Sequence, residues 1–279
     1  MSGTLSLVAT PIGNLEDITH RALRVLREVR VIAAEDTRRT AKLLTHYGVS
    51  TPTLSFHEHN YRSRTPQLLA RLAAGEDVAL VTDAGTPGIS DPGVELVQAC
   101  IAAGIAVDPI PGPSAPLAAA VASGFPLHSL TILGFPPVRA KERSAWFAEA
   151  SANLGTVVFF EAPHRIKRTL SDVSSYFGNR QICVARELTK THQEFVRGRA
   201  DETSNWALTT LGEFTVVIAP RAPDPDEVSK PDQASIAAEF KALDTTAPAG
   251  RRQRAAAVAR KLGLSVNDVY KALEAAKHD

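Results

Sequence analysis

The chain has 279 residues, with 31 Lys plus Arg against 30 Asp plus Glu and a formal charge of +1. That balance excludes a uniformly basic nucleic-acid coat and leaves room for a local basic face. The length is too great for one small domain and enough for two of medium size; with 44% hydrophobic but only 6% aromatic residues, the core must be built from Val, Leu, Ile and Ala.

Apolar runs predict strands at residues 4–9, 31–34, 53–56, 78–82 and 106–110. Helical spacing predicts helices between them at 15–29, 38–47, 61–73 and 92–103; in the first, Ile18, Ala22, Val25, Leu26 and Val29 recur on one face. This alternation, with continuously apolar strands, predicts an α/β domain with a largely buried sheet. A helix at 114–123 follows. Strands at 130–133, 156–160, 181–186, 194–196 and 214–219, with helices at 141–150 and 164–177, then predict a second α/β domain. Little separates its last strands, so more antiparallel pairing is expected there.

The predicted organisation is an N-terminal α/β domain (1–124), a C-terminal α/β domain (125–221), a linker (222–232) and a helical tail (233–279). Four prolines between Pro220 and Pro231 mark the linker. The tail carries predicted helices at 233–243, 251–262 and 266–276, the last two flanking Gly263-Leu264-Ser265 as in a helix-turn-helix connection. Residues 230–279 hold nine Lys or Arg and six Asp or Glu. That small excess suits RNA contact, and equally a helical appendage or dimer arm.

Cys100 and Cys183 lie in apolar contexts, and no CxxC occurs. The pattern predicts neither a disulfide framework nor a metal site, and points to a reducing, cytoplasmic compartment. No apolar run approaches the roughly 20 residues of a membrane span. The N-terminus lacks a basic leader and runs directly into a predicted strand, so no signal peptide is expected.

Four glycine- and proline-rich elements follow predicted strands: Thr10-Pro11-Ile12-Gly13-Asn14, the run from Asp83 to Gly93, Pro111-Gly112-Pro113-Ser114-Ala115, and Gly134-Phe135-Pro136-Pro137. Glycine lets backbone approach a ligand, and proline stiffens the turn. In open α/β sheets ligands lie off the carboxyl ends of the strands, so all four would line one edge. Two run into predicted helix starts, at Pro92 and Ser114. Neither GxGxxG nor GxxxxGK[ST] is present, so the common phosphate-cradling loops are absent.

These elements resemble the ribosomal RNA small subunit methyltransferase I family. The resemblance rests on Val8-Ala9-Thr10-Pro11-Ile12-Gly13-Asn14-Leu15-Glu16-Asp17-Ile18, Ala34-Glu35-Asp36-Thr37-Arg38, Phe56-His57-Glu58-His59-Asn60, the Asp83 to Gly93 run, Pro111 to Ala115, Glu161-Ala162-Pro163-His164-Arg165 and Arg186-Glu187-Leu188-Thr189-Lys190. It spans residues 4–220, and the tail is similar to the family's helical C-terminus. In two places the chain departs: Gln193 stands where an acid is usual, and Gly134-Phe135-Pro136-Pro137 has Pro where Leu is common.

The resemblance implies the two-domain tetrapyrrole methylase fold, with S-adenosylmethionine in the cleft between domains. It implies methylation of a ribose 2′-hydroxyl on a decoding-centre cytidine of small-subunit rRNA, by in-line displacement at the sulfonium methyl group. Alignment of oxygen, carbon and sulfur is then the main task, with help in shedding the hydroxyl proton. The implied partners are small-subunit rRNA, within the assembled 30S subunit, and a second copy of the chain. A tetrapyrrole C-methyltransferase and a ribosome-binding assembly factor without turnover are the rival readings.

The implied cofactor contacts are Pro11, Ile12, Asp83, Ala84, Gly85, Ser90, Ser114, Ala115, Phe135, Ala162 and Pro163. Asp83 alternatively only braces its own turn, and Ser114 alternatively is a plain N-cap; the helix amides after Ser114 would also suit a carboxylate. Candidate substrate contacts are Arg38, His57, Asn60, His164, Arg165 and Arg186, with Arg39 beside Arg38 as a phosphate contact. Glu35 and Asp36 either hold ribose, orient Arg38, or form a structural ion pair. A strand would place His57 and His59 on one face. The pair with Glu58 invites a metal reading, though no third ligand is evident; the other reading is substrate binding or proton handling, with His59 a candidate base. Lys190 either lowers the 2′-hydroxyl pKa through its charge or is a surface residue. Glu35, His59 and Lys190 are the catalytic candidates.

Overall fold

The computed structural model describes residues 2–89, 93–221, 233–243, 250–262 and 264–275. The predicted linker at 222–232 and the candidate Ser90 lie outside the described residues. The chain divides into two units, residues 1–221 and 222–279.

In the first unit, β1 (Thr4–Val8), β2 (Val31–Ala34), β3 (Thr53–Ser55), β4 (Val78–Val81) and β5 (Ala106–Ile110) form one sheet in the order β3-β2-β4-β1-β5. Each pairing in it is parallel. β2 and β4 are buried at all their positions, as strands covered on both faces require. Helices α1 (His20–Glu28) and α2 (Thr37–His46) set Ala22, Val25, Leu26 and Leu44 against Val8, Ile32, Ala79 and Val81 on one face. Helices α3 (Tyr61–Ala73) and α4 (Val94–Ala102) set Leu68, Leu72, Leu96 and Cys100 against Leu5, Val31, Ala33 and Leu80 on the other. Thus α1 leaves β1 over one face while α4 leaves the neighbouring β4 over the opposite face. The two connections diverge and open a crevice at the carboxyl ends of β1 and β4.

The predicted helix at 15–29 is divided. Leu15–Asp17 is a single 3-10 turn, and α1 starts only at His20. Thr19 is in extended conformation, and its hydroxyl accepts the Ala22 amide at 3.1 Å, which caps α1 and breaks the longer run. Helix α4 begins at Val94, not at 92, behind Gly93 at φ 152°. A Cβ at Gly93 would sit 2.8 Å from Leu80 Cδ2, so the chain can pass there only without a side chain.

The second sheet, in the same unit, contains β6 (Leu130–Ile132), β7 (Thr156–Glu161), β8 (Gln181–Arg186), β9 (Glu194–Arg199) and β10 (Phe214–Ile218), in the order β6-β7-β10-β8-β9. Only β6 and β7 pair in parallel; the other three pairings are antiparallel. Side chains alternate between its faces. Val157, Phe159, Val184, Val216 and Ile218 meet α6 (Ala140–Ala152) and α7 (Ile166–Phe177) through Phe147, Ile166, Leu170 and Val173. Val158, Cys183, Ala185 and Val217 meet Ala119 and Ala120 of α5 (Ala115–Ser123). Helix α5 follows the last strand of the first sheet yet packs on the second, and so joins the two lobes. The residues 200–205 add a 3-10 stretch that apolar periodicity did not predict.

The second unit contains α8 (Gln233–Ala242), α9 (Arg251–Leu262) and α10 (Val266–Ala275), which bury Ile236, Ala255, Val258, Val269 and Ala272 together. The Arg251 guanidinium lies over Tyr270 and that of Arg254 over Phe240. Among the described residues, no helix is long and apolar enough to cross a membrane.

Candidate active site

The crevice between β1 and β4 is shaped by two loops that bind each other. Thr10 donates its amide to the Gly85 carbonyl at 2.9 Å, and Gly85 returns the bond to Thr10 at 3.0 Å. Gly85 stands at φ 86°, a backbone region that a side chain would strain. The next loop over is tied in by two acids. Glu35 Oε2 accepts the Asp83 amide at 3.1 Å, and Asp83 Oδ1 accepts the Asp36 amide at 3.1 Å. Asp83 also pairs with Arg39 at 3.2 Å. Each carboxylate therefore holds the other's loop, which brings two negative charges to one rim.

Pro113 and Ser114 carry the chain from β5 into α5. Ser114 is the N-cap by backbone position, but its side chain makes no capping bond. Its Oγ is buried and has no hydrogen-bond partner. A hydroxyl shut from water without a partner costs free energy, and here it stands among the open amides of a helix start.

The opposite wall comes from the second sheet and is set by a buried polar network. Glu161 is 2% exposed and Arg143 3%. Glu161 Oε1 accepts the Ala162 amide at 2.7 Å and Arg165 Nε at 2.6 Å, while Oε2 accepts the Thr169 hydroxyl. Arg143 lies 3.7 Å from Glu161, pairs with Asp172 at 2.7 Å and donates to Thr169 at 2.7 Å. The two arginines also hold the preceding loop, Arg165 through the Pro136 carbonyl at 2.9 Å and Arg143 through that of Pro137 at 3.3 Å. One network thus positions both loops that carry Phe135, Ala162 and Pro163.

A second contact joins the lobes. Gly13 lies so close to the loop after β8 that a Cβ there would fall 2.6 Å from Lys190 Cγ and 2.7 Å from the Leu188 carbonyl oxygen. The Asn14 amide donates to Thr189 Oγ1 at 3.0 Å. Glu187 and Thr189 adopt φ of 50° and 65°, uncommon for residues with side chains. They are held by Glu187 N to the Glu213 carbonyl at 3.0 Å and by Thr189 N to Gln193 Oε1 at 2.7 Å. A carboxylate would accept the latter bond as well, so Gln193 keeps the acceptor that the usual acid supplies. Lys190 Nζ bonds Glu187 at 2.8 Å and Glu213 at 2.9 Å. Burial pushes the Lys190 pKa down, but these two carboxylates outweigh it and hold it above the ordinary lysine value. The Lys190 hydrogen bond, against the cost of burial, lowers the pKa of Glu187.

Together these loops enclose a cleft of about 380 Å³, within the size range of small-molecule sites. Of the sequence-derived candidates, Ile12, Glu35, Asp83, Ala84 and Gly85 line it from the first lobe, with Ser114 and Ala115 at the start of α5. Phe135, Ala162 and Pro163 line it from the second. Pro11 lines a smaller neighbouring cavity instead.

Other candidates occupy different places. His57 and His59 are not on a strand: β3 ends at Ser55, and the two residues enter a turn in which His57 Nδ1 accepts the His59 amide at 3.2 Å. Neither lines the cleft. Asn60 is spent on local structure, accepting the His57 amide at 2.8 Å and donating to Ser55. Arg165 is paired with Glu161 at 2.6 Å. Arg186 is bound to Glu194 at 2.9 Å and is 15% exposed. His164 is exposed in the turn before α7, which begins at Ile166. Arg38 is 87% exposed and grips Asp36 through two hydrogen bonds. That pairing holds the Asp36 carboxyl well below the usual carboxylate range.

Sequence reasoning missed Glu213, Phe214 and Thr215, which also line the cleft. Phe214 and Thr215 open β10 and Glu213 directly precedes it; the strand runs antiparallel to β7 and β8 with Phe214 opposite Glu161 and Arg186. The start of that strand therefore lies at the same edge as the ends of its neighbours. Strand direction is not visible in a sequence pattern. Arg143, Thr169 and Asp172 were missed for a similar reason, since they sit in helices far from any motif.

The two lobes and their shared cleft are those of a methylase class. Residues 4–204 match the model of the Tetrapyrrole (Corrin/Porphyrin) Methylases. A solved structure with the same fold, uroporphyrin-III C-methyl transferase from Thermus thermophilus complexed with S-adenyl homocysteine, aligns at a TM-score of 0.55. It is 18% identical and covers 78% of this chain and 97% of that one. Sequence similarity is much closer to a narrower group. The ribosomal RNA small subunit methyltransferase I of Halalkalibacterium halodurans is 50% identical over 218 residues, covering 77% of this chain and 75% of the relative. That of Pseudomonas aeruginosa is 42% identical over 277 residues, covering 96% of each. The chain belongs to the ribosomal RNA small subunit methyltransferase I family.

Proposed function

We propose that the chain is an S-adenosylmethionine-dependent methyltransferase that modifies the 2′-hydroxyl of a decoding-centre cytidine in small-subunit rRNA. The observation that carries this reading is the 50% identity over 218 residues to a ribosomal RNA small subunit methyltransferase I. The likeness to tetrapyrrole methyltransferase structures is a likeness of fold, at 18% identity.

The cleft suits the cofactor chemically. Its apolar walls, Ile12, Phe135, Ala162 and Pro163, offer contact to an adenine ring. The unpartnered Ser114 hydroxyl and the first amides of α5 suit the amino-acid carboxylate. Glu35, Asp83 and Glu213 supply negative charge for the ammonium and sulfonium groups. When bound, S-adenosylmethionine supplies an electrophilic methyl group on a positively charged sulfur.

The chain's own contribution is to bind, orient and exclude water. Among the three catalytic candidates Glu35 alone lines the cleft. Its Oε2 is fixed by the Asp83 amide, and we place it as the group that takes the hydroxyl proton. Lys190, kept protonated by Glu187 and Glu213, adds positive potential at the Glu213 rim and is unsuited to act as a base. His59 stands outside this arrangement. The assembled 30S subunit is the substrate we favour, because a cleft of about 380 Å³ has the size of a small-molecule site and cannot by itself recognise a folded target. A homodimer would extend the surface, and Leu117 and Val121, 50% and 72% exposed on α5, are apolar residues for such an interface. The unpaired buried thiols Cys100 and Cys183 accord with a cytoplasmic site of action. We divide the first unit near Gly124, which ends α5 in left-handed conformation.

The test is transfer from labelled S-adenosylmethionine to isolated small subunits, with mapping of the modified nucleoside. A single 2′-O-methylcytidine is expected, and Glu35→Gln should lower kcat 100-fold or more. Cofactor binding with no transfer to subunits would overturn the reading.

A further inference from the structure

Beside the cleft lies a second cavity of about 170 Å³, lined by Thr10, Pro11, Leu15, Lys42 and Leu43 among others. Arg39 and Asp83 line both spaces and so form the partition between them. Its composition is divided. Pro11, Leu15 and Leu43 give an apolar wall. The hydroxyls of Thr10 and Thr82 are spent on the carbonyls of Thr82 and Gly85, so they leave that wall without polar demand. The charged side is α2, which carries Arg38, Arg39, Lys42 and His46 and no acid. Like charges three and four residues apart oppose a helix. Asp36 answers Arg38, and Asp83 answers Arg39. Among the described residues, Lys42 has no ion pair.

An unneutralised cation one wall away from the cleft, beside an apolar shelf, is the chemistry that receives a backbone phosphate and its sugar. We propose that this cavity receives one backbone phosphate of the RNA substrate, held by Lys42 and next in line to the ribose that enters the cleft. The inference rests on the reading of the chain as an rRNA methyltransferase and adds where the strand crosses the first lobe. Lys42 serves the substrate and not the cofactor, because it lines only the second cavity.

The experiment uses the full chain with Lys42→Glu and Lys42→Gln, two changes at an exposed helix position. Labelled transfer to small subunits is followed over subunit concentration and over salt, and S-adenosylmethionine affinity is measured by calorimetry on the same samples. Lys42→Glu should raise KM for subunits tenfold or more, and Lys42→Gln about threefold. The slope of log kcat/KM against log salt should fall by about 0.7 for the lost phosphate contact. Cofactor affinity should stay within twofold. An unchanged KM and slope in both variants would overturn the proposal, and so would a loss of cofactor affinity that parallels the rise in KM. If the unaltered protein fails to methylate subunits, it is the functional reading that fails, and that is seen before any variant is made.

Discussion

Replacing Arg143 with Met removes the centre of the network behind the cleft wall. The change takes away the ion pair with Asp172 at 2.7 Å, the bond to Thr169 at 2.7 Å and the hold on the Pro137 carbonyl at 3.3 Å. Glu161, 2% exposed, loses a cation 3.7 Å away and keeps only Arg165. Breaking one partner out of a buried ionic network costs about 3–5 kcal/mol. In a unit of this size each kcal/mol lowers the melting temperature by roughly 2–4 °C, so a drop of roughly 6–20 °C is expected. The effect should reach the ligand as well. The loops bearing Phe135, Ala162 and Pro163 are held by the same atoms, and a misplacement of about 1 Å in positioning groups costs up to about 100-fold in rate, so weaker cofactor binding is expected as well. Thermal unfolding with and without S-adenosylmethionine, beside calorimetric binding at a temperature where the variant is folded, separates the two effects. Arg143→Lys, which retains charge but loses the planar fork, should fall between the two forms. A variant that melts with the native protein would refute the ionic argument. One that is destabilised yet binds cofactor at native affinity would refute the connection between the network and the cleft wall.

Ser114→Ala should leave the ligand-free protein as stable as before or slightly more so, since it deletes a buried hydroxyl without a partner; cofactor affinity should fall severalfold, and a parallel loss of stability would contradict this. Gly13→Ala should weaken both stability and cofactor binding, because its Cβ would meet the Leu188 carbonyl oxygen at 2.7 Å; unfolding and binding curves identical to the native ones would show that the lobes can part there without cost. The Glu187 and Lys190 pair sets a pH window. Glu187 has a folded pKa below its ordinary 4.5, so its contribution is present above that value and is lost as pH falls through the folded pKa. Lys190 has a folded pKa above its ordinary 10.5, so its contribution is present below that value and is lost as pH rises through the folded pKa. Glu187→Gln should therefore flatten the acid side of a melting-temperature profile, and an unaltered profile would remove the pair from the account of stability.

The residues that touch the cleft from the first lobe were readable because they lie in continuous motifs after apolar strands. Ile12, Asp83 and Ser114 are examples, and each follows a strand whose run of apolar residues is itself visible. His57 and His59 show the limit of that reasoning. Period-two alternation would have set them on one face, but the strand stops at Ser55 and Asn60 folds the following residues into a turn. Arg165 and Arg186 show a second limit. An arginine near a motif is equally a phosphate ligand or a brace, and the pairing of Arg165 with the buried Glu161 and of Arg186 with the partly exposed Glu194 appears only in the fold.

Local pattern alone gave the alternation of strands and helices, the short spacing of the last strands and the glycine turns that line one edge. Those follow from local periodicity and from backbone conformations that few residues adopt. Which charges meet is a property of the fold. The antiparallel return of β10 carries Glu213 to the end of β8 beside Lys190, and the folding of α6 and α7 onto one face carries Arg143 to Glu161. Both are contacts between residues distant along the chain, and their energies depend on burial and strand direction, which no local pattern records.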